Sequence, residues 1–181
     1  MGFVEANLFG VNARIFRISF SGELAYEVNV ESDNGNFMWE KIIELGKDFD
    51  LQPYGTEALS TLRIEMGHVA GSELDGRTIP YDASLEGLVS KKKDFIGKRS
   101  LNRSAFTSTD REKLVGVVPI DKTTSIPEGS YIVKDPKAKL PNPKLGHVSA
   151  SCWSVEYDNP FSLAIIKDCL LYTSDAADDV E

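Results

Sequence analysis

Residues 14–31 read RIFRISFSGELAYEVNVE. Apolar and polar side chains alternate on both sides of Ser21-Gly22, and period-two alternation across a glycine-containing turn predicts a β-hairpin. Successive side chains of a strand point to opposite faces, so Glu27 lies on one face with Ala25 and Asn29. The other face is apolar and is expected to pack in a core; it carries Leu24, Tyr26, Val28 and Val30.

Two amphipathic helices are predicted after the hairpin. Apolar residues recur at helical spacing over residues 36–49 and again over residues 55–66. Thr56 is the candidate N-cap of the second helix, and Gly67 is its candidate C-terminal stop. Residues 67–83 are rich in turn-forming residues, which separates this helical region from the C-terminal half of the chain.

The character of the chain changes near residue 104. Residues 104–110 are polar and form a candidate linker. Short strand-like runs then cover residues 114–118, 131–134, 146–153 and 162–166, a spacing typical of a small antiparallel barrel or sandwich. The sequence therefore predicts an α+β fold, with a first domain over residues 1–103 and a small antiparallel β-barrel over residues 104–169.

Composition excludes several classes of protein. The chain has 181 residues, 41% of them hydrophobic, and a net charge of -8, which disfavours nucleic acid as a partner. It has no apolar run of the roughly 18 to 20 residues that span a membrane and no secretory signal, so a cytoplasmic location and no membrane partner are expected. Two cysteines without a CxxC pair and two histidines predict no metal site. Residues 170–181 are acidic and are interpreted as a non-native tail.

Glu27 is the one candidate binding residue that the pattern itself offers. The chain has no glycine-rich nucleotide motif, and its two histidines give no Ser/His/Asp arrangement, so no catalytic residue is predicted. A carboxylate held on a strand can accept two parallel N–H donors from a heterocycle such as a pterin. The alternative is a glutamate that simply faces solvent on a half-exposed strand, and the residues alone leave both open.

Four segments together resemble the aminomethyltransferase superfamily, whose founding member is the folate-binding T-protein of glycine cleavage. They are residues 19–27 (SFSGELAYE), 55–67 (GTEALSTLRIEMG), 94–101 (DFIGKRSL) and 146–151 (GHVSAS), in the order of that family. Residues 17–30 and 89–101 are most similar to the alpha subunits of heterotetrameric sarcosine oxidases. Ala25 stands where T-proteins usually have glycine, and Val69-Ala-Gly replaces their Leu-Tyr-Gly.

The resemblance implies a fold, a cofactor and site residues. It implies the C-terminal part of a T-protein-like domain that binds tetrahydrofolate, with Glu27 on the pterin ring inside a cavity. Phe20 matches a tyrosine that lines this site, Tyr26 lies beside it, and Arg63 is expected to face the charged end of the folate. The family's catalytic Asp lies upstream of the hairpin and has no match before Arg14, so the chain is expected to begin inside a domain.

For the complete enzyme, the resemblance implies oxidative demethylation of sarcosine, with the one-carbon unit passed to tetrahydrofolate. It would be an oxidoreductase acting on CH–NH donors, with a small amine substrate and further sarcosine oxidase subunits as partners. Flavin and NAD would belong to parts outside this chain, which by itself is expected to be inactive. The alternatives are a T-protein or a domain like that of dimethylglycine oxidase. A non-catalytic folate-binding repair module is a further alternative, but the cysteine motif of those relatives is absent from residues 67–71.

A basic stretch offers one more candidate site. It contains Lys91, Lys92, Lys93, Lys98 and Arg99. Clustered cations raise the local concentration of anions, so a folate polyglutamate tail is one candidate ligand. A solvated surface and a contact with another subunit are the alternatives.

Overall fold

The computed structural model describes residues 2–167, so the tail predicted at residues 170–181 lies outside the described residues. The chain divides into two compact units, with the division between His68 and Val69. Each unit combines its own antiparallel sheet with helical or irregular segments, which confirms the predicted α+β class. No helix within residues 2–167 has the length and apolar character needed to cross a membrane.

The first unit contains a three-stranded antiparallel sheet in the order β1-β2-β3. Its strands are β1 (Gly2–Leu8), β2 (Val11–Arg17) and β3 (Glu27–Asn29). Phe9 and Gly10 connect β1 to β2 with φ angles of 54° and 87°. Two positive φ values belong to the turn that suits a two-residue hairpin, but phenylalanine rarely adopts them. The sequence pattern therefore does not predict strand β1.

The predicted hairpin over residues 14–31 is present, but its ladder is shorter than predicted. A two-residue turn at Ser21-Gly22 would pair Phe16 with Glu27, and this is the observed pairing of β2 with β3. The ladder covers residues 14–16 and 27–29 only, and residues 18–26 form an irregular loop. Leu24 and Tyr26 belong to this loop and are 68% and 58% exposed, so the expectation that they face a core is wrong.

Both predicted helices are present. Helix α1 (Gly35–Gly46) lies between two short 3-10 turns, Ser32–Asn34 and Lys47–Phe49. Helix α2 spans Thr56–Glu65, and its N-cap is Gly55 rather than Thr56. Gly67, at φ 69°, ends α2 as predicted. The amide of Gly67 donates to the Ile64 carbonyl and that of His68 to the Arg63 carbonyl, which is the Schellman arrangement that a left-handed glycine permits.

The second unit contains a four-stranded antiparallel sheet in the order β4-β7-β6-β5. The strands match the four predicted ones: β4 (Glu112–Val117), β5 (Tyr131–Val133), β6 (Lys144–Ser154) and β7 (Asn159–Lys167). Its buried apolar residues are Leu114, Val148, Ala150, Leu163 and Ala164. The sheet is open within residues 69–167, because β4 and β5 are edge strands that do not pair with each other. The predicted closed barrel is therefore not confirmed.

Arg111, which immediately precedes β4, forms hydrogen bonds with residues of the irregular segment that precedes it. Its guanidinium donates to both carboxylate oxygens of Asp82, with 2.7 Å from Nε to Oδ1, and also to the carbonyls of Arg77 and Ala105. The hydrogen-bonded carboxylate of Asp82 raises the pKa of Arg111. Two short 3-10 turns, Glu86–Leu88 and Ser100–Asn102, lie within this segment.

The backbone of Asp82 adds a second link, because its carbonyl accepts a hydrogen bond from the Leu114 amide at 2.7 Å. The predicted linker at residues 104–110 is thus held by Arg111 through Ala105. Residues 69–103 cluster with the second sheet. The domain boundary expected between residues 103 and 104 remains a prediction.

Replacing Arg111 is expected to destabilise the second unit strongly. The Asp82 side chain is 10% exposed, and Arg111→Met leaves its carboxylate without its ion-pair partner. Breaking a largely buried pair in this way costs about 3 kcal/mol of the free energy of unfolding, which urea denaturation measures. The exposed Arg99→Met is the matched control. Arg111→Met combined with Asp82→Asn is expected to recover part of the loss, and an unchanged urea midpoint for Arg111→Met would contradict this account.

Gly146 is predicted to be required by the close approach of β6 to β7. A Cβ at this position would overlap the carbonyl oxygen of Ile165 and lie 2.9 Å from the Cα of Ile166. Both atoms belong to the backbone and cannot swing away, so Gly146→Ala is expected to cost about 1–3 kcal/mol in thermal unfolding. Gly71→Ala, where the added Cβ meets nothing within 4 Å, is the control. Equal melting temperatures for the two variants would show that the strands can separate freely.

Candidate functional site

Strand β3 fixes Glu27 beside an aromatic pair. Glu27 lies directly opposite Phe16 of β2, and Phe16 lies directly opposite Phe3 of β1. Side chains of directly paired residues share a face of the sheet, so the three residues form a row. The Phe3 and Phe16 rings are stacked, with centroids 5.6 Å apart and planes 23° apart. Glu27 is exposed, and within residues 2–167 its carboxylate makes no hydrogen bond or ion pair.

The same face of the sheet carries a polar cleft next to this row. Arg14 lies opposite Asn29 and Glu5, and its Nε lies 3.6 Å from Glu5 Oε1 in an exposed ion pair. The cleft has a volume of about 660 Å³. Glu27 does not line it. The cavity that the resemblance implies around Glu27 is therefore not formed by the residues of this cleft.

The loop 18–26 contacts the C-terminal end of helix α2. The ring centroids of Phe20 and His68 are 4.8 Å apart, with an interplanar angle of 65°, an edge-to-face contact. Gly22, at φ 89°, lies so close to α2 that a Cβ there would be 2.6 Å from Sδ of Met66. Glycine at this position therefore serves both the turn and the contact.

Arg63 is buried, at 7% exposed, and supports His68 from within the first unit. Its Nη1 donates to the His68 carbonyl at 3.4 Å, and its own carbonyl accepts the His68 amide at 2.8 Å. Arg63 thus positions the residue on which the Phe20 ring packs. The expected contact of Arg63 with the charged end of a folate remains a prediction.

The site residues predicted from the sequence thus fall into two groups. Glu27 lies in the row of β-sheet residues, and Tyr26 immediately precedes it as an exposed side chain. Phe20 and Arg63 belong to the group around His68. Within residues 2–68, no hydrogen bond or ring contact joins the two groups.

Comparison with known proteins shows the family of the chain. The family model described as the GCVT N-terminal domain matches residues 1–93, about half of the chain.

The chain belongs to the GCVT family.

Relatives of this GCVT chain include two proteins described as sarcosine oxidase subunit alpha. The one from Rhizobium meliloti (strain 1021) is 43% identical over 168 residues, 91% of the chain and 17% of the relative. The one from Corynebacterium sp. (strain P-1) is 42% identical over 172 residues, 93% of the chain and 18% of the relative. An aminomethyltransferase from Thermoanaerobacter pseudethanolicus (strain ATCC 33223 / 39E) is 33% identical over 164 residues, 90% of the chain and 42% of the relative. The chain thus spans less than half of each of these proteins.

A solved structure confirms the GCVT fold. The glycine cleavage system aminomethyltransferase T from Bartonella henselae superposes with a TM-score of 0.71 at 22% identity, over 87% of the chain and 42% of that protein. At this level of identity the match concerns the fold only. It confirms the T-protein-like architecture predicted from the four sequence segments.

Three residues that lie next to the predicted site residues escaped the sequence analysis. Phe16 could have been found, because the Ser21-Gly22 turn already pairs it with Glu27. Phe3 gave no signal, since its strand β1 is joined to β2 by a turn at Phe9-Gly10 that the sequence does not predict. His68 gave no signal in the sequence; its position follows from Gly67 and Arg63 once α2 ends there.

A double-mutant cycle between Phe20 and His68 is expected to show coupling. Edge-to-face ring pairs contribute about 0.5–1.5 kcal/mol beyond area burial, so Phe20→Leu and His68→Ala together should cost less than the sum of the single changes by this amount. The measurement is the free energy of unfolding in urea. Phe20→Leu with Phe49→Leu is the control pair, because the 84% exposed Phe49 side chain makes no ring contact within residues 2–167. Additivity in both cycles would contradict docking of the loop on α2.

Proposed function

We propose that this chain carries the tetrahydrofolate-binding part of a cytoplasmic sarcosine oxidase. The complete enzyme would demethylate sarcosine oxidatively and pass the one-carbon unit to tetrahydrofolate, with other subunits and with flavin and NAD held elsewhere. The identity of 40–43% to three sarcosine oxidase alpha subunits, against 33–36% to the aminomethyltransferases, supports this choice.

The observation that carries the proposal is the carboxylate of Glu27, which is unpaired within residues 2–167 and lies beside the Phe16 ring. Strand pairing fixes the backbone of Glu27, so only side-chain entropy is lost when its carboxylate accepts hydrogen bonds. Its two oxygens match the parallel amino and ring N–H donors of a pterin. The neighbouring Phe16 and Phe3 rings offer an apolar surface to the flat heterocycle. The carboxylate acceptors of Glu27 and the two neighbouring rings therefore fit the pterin end of tetrahydrofolate.

Phe20 and Tyr26 would complete the aromatic lining. Phe20 is 40% exposed and is braced by His68, so one part of its ring remains available for contact. It has no hydroxyl, and its contribution would be van der Waals and stacking contact alone. Tyr26 is exposed directly before β3 and could supply both a ring and a hydroxyl donor.

The chain's own residues would bind and orient rather than transfer protons. Tetrahydrofolate, when bound, supplies the nitrogen atoms that accept the one-carbon unit. Glu27 would fix the rotation of the pterin ring, and the aromatic side chains would fix its plane, so that those nitrogens keep one orientation. Arg63 would act on this site indirectly, by holding His68 under Phe20.

An aminomethyltransferase is the second candidate. The 33% identity to the aminomethyltransferase from Thermoanaerobacter pseudethanolicus, of which the chain covers 42%, supports it. Both candidates use the same pterin contacts, so a folate titration tests what they share. Turnover of sarcosine by a larger protein that contains this chain would separate them.

Glu27→Gln is expected to weaken folate binding by about tenfold to a hundredfold. Loss of a hydrogen bond to a charged group costs roughly 1.5–3 kcal/mol, and the glutamine amide turns one acceptor into a donor that opposes the pterin. The measurement is isothermal titration calorimetry of the chain with 5-formyltetrahydrofolate, which resists oxidation. Glu156→Gln, an exposed glutamate in the turn between β6 and β7, is the control. Equal affinities for Glu27→Gln and the unchanged chain, or no binding by the unchanged chain, would count against the proposal.

A further inference from the structure

The polar cleft of the first unit presents both signs of charge on one face of its sheet. Glu5, Arg14 and Asn29 are directly paired residues of β1, β2 and β3, so their side chains form one row across that face. Glu31 also lines the cleft, whose volume is about 660 Å³. One guanidinium group thus lies among two carboxylates and a side-chain amide.

The opposite charges of this row lie close together but use little of their hydrogen-bonding capacity. The 3.6 Å between Arg14 Nε and Glu5 Oε1 is too long for a hydrogen bond, and the two side chains are 68% and 73% exposed. Within residues 2–167, the guanidinium of Arg14, the carboxylate of Glu5 and the side-chain amide of Asn29 make no hydrogen bond. An exposed pair of this kind contributes little to stability, so a ligand can separate it at little cost.

The rows on either side of this one define the ends of the cleft. Towards the turn between β1 and β2, Asn7 Nδ2 donates to Asn12 Oδ1 at 3.2 Å, and Asn7 Oδ1 accepts the Gly10 amide at 3.0 Å. The two asparagine side chains are therefore held in place by the turn. In the other direction, two residues along each strand or about 7 Å away, lies the row that contains Glu27.

The lining suits neither a simple anion nor a simple cation. An anion that reached Arg14 would come close to the carboxylate of Glu5, and a cation that reached Glu5 would come close to the guanidinium of Arg14. A zwitterion satisfies both, because its ammonium group can donate to Glu5 while its carboxylate accepts from Arg14. Adjacent strands are about 4.8 Å apart, so the charged groups of an α-amino acid, which one carbon atom joins, can reach both side chains.

We propose that the polar cleft binds a small zwitterionic α-amino acid, with its carboxylate on Arg14 and Asn29 and its ammonium group on Glu5. The side-chain amide of Asn29 would donate one more hydrogen bond to the carboxylate. All of these contacts are exposed, so the dissociation constant is expected to be on the order of millimolar. That this amino acid takes part in one-carbon transfer beside a bound pterin rests on the proposed function.

The test is a nuclear magnetic resonance titration of the chain with sarcosine in the absence of folate. The signals of Arg14 Nε–H and of the Asn29 side-chain amide are expected to move together along one binding curve. Arg14→Gln and Glu5→Gln should each weaken binding about two- to fivefold, because each removes one exposed charged contact. The matched controls are Arg99→Gln and Glu156→Gln, which remove the same charges from exposed positions outside the cleft.

Two further probes separate a zwitterion site from a general attraction of ions. Acetate carries only the negative group of sarcosine, and methylamine carries only the positive one. Each is expected to bind at least about two- to fivefold more weakly than sarcosine, because each loses one of the two charged contacts.

Several outcomes would overturn the proposal. They are no movement of these signals with sarcosine up to about 100 mM, binding of acetate or methylamine as tight as that of sarcosine, and equal losses in the control variants. If Arg14→Gln does not fold by circular dichroism, Arg14→Lys, which keeps the charge but not the forked donors, should also weaken binding. The folate titration reports on Glu27 and the sarcosine titration on the polar cleft, so either proposal can fail while the other stands.

Discussion

The pairing of β2 with β3 is the constraint on which the candidate site depends. It places Glu27 opposite Phe16, and a slip of one residue would move Val28 into that position and turn Glu27 to the apolar face that holds Ile15. The apolar character of Val28 opposes this slip, since Val28 would leave the face that holds Ile15 and Glu27 would take its place. Hydrophobic patterning on one face of the sheet therefore fixes a polar acceptor on the other.

The sequence was sufficient to predict local secondary structure but not the contacts between residues far apart in the chain. The alternation around Ser21-Gly22 was enough to predict a hairpin that contains Glu27, and helical periodicity was enough to predict α1 and α2. The loop 18–26 could not be foreseen, because its departure from the ladder depends on contacts of Phe20 with His68 and of Gly22 with Met66. Those contacts join residues more than forty positions apart, and no local pattern encodes them.

The same reasoning explains why strand spacing did not establish a closed barrel and why composition alone did not define the linker. Short strands at regular spacing occur in open sheets as well as in closed ones, so spacing alone does not decide closure. The polar residues 104–110 have the composition of a linker, yet Arg111, which immediately precedes β4, donates hydrogen bonds to the Asp82 carboxylate and to the Ala105 carbonyl. One bidentate ion pair between residues far apart in sequence thus holds a segment whose composition is that of a linker.

The shortness of β3 has a thermodynamic consequence. It contains three residues, and within the described part of the chain it pairs only with β2, so opening it breaks few backbone hydrogen bonds. Edge segments of this kind open locally at a free energy far below that of global unfolding. A ligand held by Glu27 would bind the paired form alone and would shift this local equilibrium toward it. Slower amide exchange confined to β3 would then be the signature of an occupied site, even though no other strand changes.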